Sequence, residues 1–179
     1  MNIVWAVFVV VIVLFGFVVI RGAPYVPSHS RYVRQAFTEL YPISKSDTLV
    51  DIGSGDGVVL RTASKLGATT VGFELNPILF AVSGLLSLGD RKVTIKLADI
   101  WLSHLPKTTT VVYLFSTSSK MAKTKKWLQT ETNRIGREVY LISYGFEFSE
   151  TAIVKNVGAY HLYKFSPLQI ATPTQNQPS

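Results

Sequence analysis

Three glycines and two carboxylates crowd one short stretch of this chain, Asp51-Ile52-Gly53-Ser54-Gly55-Asp56-Gly57. A further carboxylate, Glu74, follows about 20 residues beyond the first glycine, in the run Val71-Gly72-Phe73-Glu74-Leu75-Asn76. Glycines at these positions let the backbone turn sharply and approach a ligand where a Cβ would clash. An acidic side chain at the end of the next strand is placed to accept both hydroxyls of a ribose. The combination suits an adenosine-containing ligand. The pattern nevertheless departs from the pyrophosphate fingerprint G-x-G-x-x-G/A: the third glycine comes one position early, and Val58 stands where the last small residue belongs. Asp51 and Asp56 beside the loop are also poorly matched to a doubly charged pyrophosphate.

A sulfonium ligand with an amino-acid tail fits these carboxylates better, because an Asp can accept from its ammonium group. The D-x-G-x-G-x-G form resembles motif I of the class I methyltransferases, whose cofactor is S-adenosylmethionine. Further on, Ala98-Asp99-Ile100-Trp101 follows a run that reads as the third strand. Asp99 is positioned there to accept from the exocyclic amine of an adenine, with Ile100 and Trp101 covering the ring; its alternative role is to cap the next turn. The residues expected to contact the cofactor are Asp51, Gly53, Ser54, Gly55, Asp56, Gly57, Glu74, Leu75, Asn76, Asp99 and Ile100.

These residues need a scaffold of alternating strands and helices. A first helix, capped by Ser28 or Ser30, is expected to run to about residue 40, with Val33, Phe37 and Leu40 on one face. Strands are expected over 48–52, 69–74, 92–97, 110–115 and 138–144, and crossover helices over 57–66, 77–89 and 119–134. Runs 152–155 and 159–165 read as a closing pair of strands around Gly158. Such alternation implies an α/β, Rossmann-like domain with a mainly parallel, doubly wound sheet. Four segments follow: an anchor over 1–21, a first helix and its approach over 22–46, the cofactor domain over 47–166, and a disordered polar tail over 167–179.

The anchor is read from residues 3–20, which carry no charge and are almost wholly aliphatic or aromatic. At ~1.5 Å per residue they would span roughly 27 Å as a helix, close to a hydrocarbon core of about 30 Å. A cleaved leader would want a basic start and a shorter apolar core, so one uncleaved transmembrane helix is expected. Arg21, Arg31 and Arg34 follow the span and no basic side chain precedes it, which puts the domain on the cytoplasmic side, or the matrix side of a mitochondrion. The absence of cysteine agrees with a reducing compartment. Net charge is +7, from 18 Lys and Arg against 11 Asp and Glu, and matches anionic lipid more simply than nucleic acid. No basic-aromatic nucleic-acid motif accompanies it. Lys120, Lys123, Lys125 and Lys126 cluster at the start of the last crossover helix, to meet head groups or only solvent. His29, His104 and His161 lack ligand spacing, so no metal site is expected.

Five linked elements carry a closer resemblance: Gly22-Ala23-Pro24-Tyr25-Val26-Pro27-Ser28, the glycine loop, Gly72-Phe73-Glu74-Leu75-Asn76-Pro77, Asp99-Ile100-Trp101 and Val112-Tyr113-Leu114-Phe115. In this order they resemble the small membrane-anchored protein-lysine methyltransferases whose animal mitochondrial members modify the ATP synthase c subunit and the adenine nucleotide translocase. The resemblance implies a class I methyltransferase fold of seven strands, S-adenosylmethionine as donor and a lysine of a membrane protein as acceptor. Tyr25, Ser28 and Tyr113 are then the candidates for lining the acceptor channel, and no residue is compelled to be a general base. Ser116-Thr117-Ser118-Ser119 departs from the small proline- or glycine-bearing loop expected after strand four, and the chain beyond strand five is short. Both regions normally shape the acceptor pocket. Two other readings stay open: methylation of a lipid, quinone or other small apolar acceptor, and binding of the cofactor without turnover. The oligomeric state is not legible.

Overall fold

The computed structural model describes residues 2–10, 12, 28–115, 118–145, 147–148 and 151–168. Helix α1 (Ser30–Gln35) runs into a π-helical turn (Ala36–Leu40) and is followed by β1 (Thr48–Ile52), α2 (Val58–Lys65), β2 (Thr69–Glu74), α3 (Pro77–Leu86), β3 (Val93–Leu97), β4 (Val111–Phe115), α4 (Ser118–Ile135), β5 (Val139–Tyr144), β6 (Lys155–Val157) and β7 (Tyr160–Phe165). The strands form one sheet in the order β3-β2-β1-β4-β5-β7-β6. Ladders among β3, β2, β1, β4 and β5 are parallel. The β5–β7 and β6–β7 ladders are antiparallel. The sheet is therefore mixed: four of its six ladders are parallel, and the closing hairpin makes the far edge antiparallel. Strand order reverses between β1 and β4, where an open α/β sheet splits to leave a crevice beyond the strand ends.

Central strands buried on both faces read as continuous apolar runs. Every residue of β1 is buried. Leu49, Val111, Tyr113 and Ile142 pack with Val33, Phe37 and Leu40 of the first helix and with Val59, Leu60 and Ala63 of α2. Val50, Ile52, Val71, Phe73, Val112, Leu114 and Leu141 face the other way, onto Met121 and Leu128 of α4. Below the strands, buried Asp47 accepts from the Tyr41 hydroxyl (2.8 Å), the Ser44 amide (2.8 Å) and the Thr110 hydroxyl (2.8 Å), tying the start of β1 to the start of β4. Burial alone would raise the Asp47 pKa, but the hydrogen bonds from Ser44, Thr110 and Tyr41 outweigh it and hold the carboxyl below its ordinary range.

Several local expectations need correction. His29 rather than Ser28 or Ser30 sits at the N-cap of α1, with no side-chain cap bond. The strand expected over 152–155 lies further on, as Lys155–Val157, because it pairs with Tyr160–Leu162 across the tight turn at Gly158 (φ 57°). Pro167 and Leu168, assigned to a disordered tail, lie on α4: Gln129 Nε2 donates to the Ser166 carbonyl (2.9 Å) and the Leu168 amide to Asn133 Oδ1 (2.9 Å). The rest of that tail, residues 169–179, lies outside the described residues. So does half of the expected transmembrane span, residues 11 and 13–20. Residues 3–10 and 12 are helical, and all of them except Ala6 are exposed. Among the described residues no helix is long and apolar enough to cross a membrane.

Gly72 is a packing requirement. A Cβ there would lie 2.6 Å from Leu60 Cδ1, 2.6 Å from Ser54 Oγ and 2.8 Å from Ser54 Cβ. Leu60 is fully buried, and Ser54 belongs to the glycine loop, so neither yields freely. Overfilling a packed interior costs about 1–3 kcal/mol. Gly72→Ala is expected to lower the free energy of unfolding by that amount in denaturant titration, with the slope of the transition unchanged.

Candidate active site

The glycine loop leaves the C-terminal end of β1 and is closed against the end of β2 by backbone bonds. The Gly53 and Ser54 amides both donate to the Phe73 carbonyl, at 2.9 and 3.1 Å. Glu74, the last residue of β2, does the rest. Its buried carboxylate accepts from the Gly55 amide (2.7 Å), the Leu75 amide (2.9 Å) and the Asn76 amide (2.8 Å). Charge-assisted bonds of this kind are the strong ones, so one side chain fixes the loop relative to the neighbouring strand. Gly53, Gly55 and Gly57 adopt φ of 74°, 54° and 79°, which an L side chain rarely tolerates. Beneath Gly57 a Cβ would meet Ser83 Oγ of α3 at 2.2 Å, so α2 and α3 approach each other through that glycine.

Asp51 lies one layer down. It is 3% exposed, and its register partners are Gly72 on one side and Tyr113 on the other. Among the described residues nothing hydrogen-bonds its side chain. Burial first, then the charges of Glu74 and Asp56, push its pKa well above the usual carboxylate range. A buried carboxyl in that condition is stabilised by any cation that comes within reach. The buried Ser54 hydroxyl likewise has no partner among the described residues. Space is open above Gly53, and a loop flanked by the Glu74 and Asp51 carboxyls suits a ligand that brings ribose hydroxyls and an ammonium group.

The other expected contacts are more self-contained. Asp56 accepts from the Val58 amide (3.1 Å) and faces Arg61 at 3.8 Å, so it closes the first turn of α2. Asn76 caps α3, its Oδ1 accepting from the Ile78 (2.9 Å) and Leu79 (3.3 Å) amides, while Leu75 stays exposed at the rim. Asp99 takes the capping role: its Oδ1 accepts from the Trp101 amide (2.9 Å) at the start of a 3₁₀ turn (Ile100–Leu102). Ile100 is buried, and Trp101 packs edge-on against Trp127 (5.7 Å between ring centres) beneath Lys123 Nζ (4.5 Å). Among the described residues no group of His, Asp or Glu could hold a metal ion.

Of the acceptor-channel candidates, Tyr25 lies outside the described residues. Tyr113 sits in the middle of β4, not at its end, and is 1% exposed. Burial, then Tyr160 and Asp51, drive its phenol far above the ordinary tyrosine pKa, and a hydrogen bond with the Ser28 side chain moderates this. Three aromatics that sequence reasoning passed over stand above it. Phe115, Tyr144 and Tyr160 are register neighbours across β4, β5 and β7. Their ring centres are 5.5 Å apart (Phe115 to Tyr144) and 4.8 Å apart (Tyr144 to Tyr160), and the Tyr160 hydroxyl is 3.5 Å from that of Tyr113. The available signal was an aromatic closing each of strands four and five. Together they make a shelf one strand away from the glycine loop, with Asp51 and Tyr113 in the layer below.

A seven-stranded sheet of this order, with the glycine loop after β1 and a carboxylate ending β2, is the fold of the class I methyltransferases. An RNA methyltransferase from Salinibacter ruber, solved with S-adenosyl-L-homocysteine, superposes with a TM-score of 0.70 at 23% identity, over 85% of this chain and 100% of that one. Phosphoethanolamine N-methyltransferase 2 from Haemonchus contortus, solved with S-adenosyl-L-methionine, gives 0.53 at 20% identity, over 80% of this chain and 34% of that one. At such identities the likeness is one of fold. No family model matches the sequence. The chain is similar in sequence to lysine N-methyltransferases named for the c protein of ATP synthase: 32% identical to that of Xenopus laevis over 119 residues, 65% of this chain and 51% of the relative. The Rattus norvegicus protein of the same name is 34% identical over 113 residues, 60% of this chain and 50% of the relative. The match spans about half the length of these curated relatives.

The raised pKa of Asp51 has a measurable consequence. A folded-state pKa above the unfolded value means that the native state holds the extra proton, so stability falls as pH rises from about 4 through the raised value. Asp51→Asn removes that dependence. In the ligand-free protein it is expected to raise the melting temperature at neutral pH and flatten its fall with pH, a change read by thermal unfolding across a pH series.

Proposed function

We propose that this chain is an S-adenosylmethionine-dependent methyltransferase that methylates lysine side chains of a membrane protein. It would work at the membrane by means of its N-terminal apolar segment, with the catalytic domain on the cytoplasmic or matrix side. The observation that carries the cofactor assignment is the buried pair Asp51 and Glu74 around the glycine loop, the first without a hydrogen-bond partner among the described residues and the second at the loop's fixed end. The relatives named as lysine N-methyltransferases support the acceptor class, and the uncharged run 3–20 supports the membrane.

The cofactor would supply a methyl group on a sulfonium, which is already a good leaving group. In this reading Glu74 takes the ribose hydroxyls at the oxygens that now hold the Gly55 and Leu75 amides, and Asp51 takes the ammonium of the methionine tail. The free oxygen of Asp99 meets the adenine amine, with Ile100 beneath the ring. Bound there, the cofactor would offer that methyl to the acceptor amine, the carbon–sulfur bonding pair leaving with sulfur and the amine's proton passing to water. Alignment of amine and methyl supplies several kcal/mol of the rate enhancement. A lysine with a reference pKa of about 10.4 must first become neutral. The aromatic shelf of Phe115, Tyr144 and Tyr160 would strip water from it and lower that pKa.

The test uses methyl-radiolabelled S-adenosylmethionine, the full chain and detergent-opened membranes from its own source. Label in a discrete protein band, resistant to lipid extraction and lost with Glu74→Ala, is the expected result. Label confined to the organic phase would transfer the activity to a lipid or quinone, and cofactor binding with no label would leave a binding protein. Glu74→Gln, which retains one acceptor oxygen for the loop amides, is expected to weaken cofactor binding at least tenfold, about 1.4 kcal/mol. Tyr144→Ala is expected to raise the acceptor KM severalfold while the cofactor Kd stays unchanged.

A further inference from the structure

Helix α3 is aliphatic and largely uncovered. From Leu75 to Gly89 the chain carries no charged residue, and of the helix's own side chains only Ser83 is buried. Ile78, Val82, Leu85 and Leu86 recur at i, i+4, i+7 and i+8 and so form one stripe, which Leu88 extends beyond the helix end. Ile78 is 49% exposed, Leu85 71% and Leu88 83%. A helix that meets its own domain on one side only is expected to turn a polar face to water. A contiguous apolar face in that position marks an interaction surface.

The charges around this face say what covers it. Arg91 and Lys92, both exposed, follow Leu88 and Gly89 with one acid, Asp90, between. The acid beside them, Asp90, is taken up by the Ser64 hydroxyl (2.6 Å) and the Lys92 amide (3.0 Å). An aliphatic stripe ending in a basic rim is complementary to an anionic bilayer, with hydrocarbon for the stripe and phosphate for the rim. The stripe holds none of the Tyr, Trp, Met or Arg that dominate the centres of protein interfaces. The helical residues 3–10 and 12 present a second exposed apolar element on the same chain.

We propose that α3 lies on an anionic membrane surface, with Ile78, Val82, Leu85, Leu86 and Leu88 in the acyl boundary and Arg91 and Lys92 at the phosphates. Because α3 begins at Asn76, bonded through its amide to Glu74, this docking holds the mouth of the cofactor crevice against the membrane plane. The inference rests on the membrane-associated reading of the function and adds to it a second, lateral point of attachment.

The chain has no cysteine, so Leu85→Cys introduces a unique thiol at an exposed position for an environment-sensitive fluorophore. The full-length variant is bound to phosphatidylcholine vesicles with and without phosphatidylglycerol, with Thr130→Cys on the outer side of α4 as reference. The expected result is a blue shift and quenching by nitroxide lipid at position 85 in anionic vesicles, severalfold weaker in neutral vesicles or with Arg91→Glu and Lys92→Glu, and absent at position 130. A position-85 probe that stays aqueous on vesicles carrying the bound chain would overturn the proposal. So would equal quenching in both lipids, or energy transfer between copies at position 85 without vesicles, which would assign the face to a second molecule. Methyl transfer measured on the same preparations separates the two claims: labelled protein with an aqueous probe sinks the docking alone, and a quenched probe with no labelled acceptor sinks the proposed activity alone.

Discussion

Negative charge confined at a glycine turn is the constraint around which this molecule is arranged. Glu74 resolves its own charge by collecting the amides of Gly55, Leu75 and Asn76. It thereby fixes the loop to β2 and fixes the start of α3 to the loop. Asp51 has no such resolution, and Glu74 and Asp56 act against its ionisation. A fold built for stability alone would carry an amide or a methyl group at that position, since an unpaired carboxyl in the interior costs free energy. Its presence has a physical account if a cationic ligand supplies what the protein withholds.

The scaffold keeps this arrangement from relaxing. Gly72 leaves room for Ser54 and Leu60, so the loop sits close to β2; Gly57 leaves room for Ser83, so α2 and α3 meet beneath it. Asp47 and its hydroxyl partners hold β1 and β4 together at the opposite end, which keeps the split between the two strands at the end where the loop lies. On the far side, Glu131 of α4 accepts from the Leu105 amide (2.8 Å) and pairs with Arg134 (2.6 Å), fixing the connection that leads from the Asp99 turn into β4. The fixed elements converge on the loop, and the half-exposed ones, Phe115 and Tyr144, border the space beside it.

Much of this was legible from residue order because it depends on local rules. Strands over 48–52 and 69–74 are bounded by turn residues and read correctly to the residue, and the Glu74 position followed from spacing. Other features were not, for identifiable reasons. That Glu74 spends its lone pairs on its own loop depends on how closely two strands approach, which periodicity does not encode. The shelf of Phe115, Tyr144 and Tyr160 is assembled by strand register from residues far apart in the chain. An uncharged, mainly aliphatic helix such as α3 has no charged face to say which side is uncovered. The start of β6 is not legible in its composition, because its partner β7 sets where pairing begins. For Asp99 the cap is the local solution, and one of its two oxygens serves it.

The central claim is that the site seeks an adenosine bearing a positive charge. Its most direct test is a calorimetric titration of S-adenosylhomocysteine into the full-length protein between about pH 5 and pH 8, in buffers of different ionisation enthalpy. The account predicts one-site binding that weakens as pH falls through the raised Asp51 pKa. Proton release should accompany binding, both effects should be lost in Asp51→Asn, and NADH should not compete. Binding that is independent of pH and releases no proton, or preference for the dinucleotide, would contradict it.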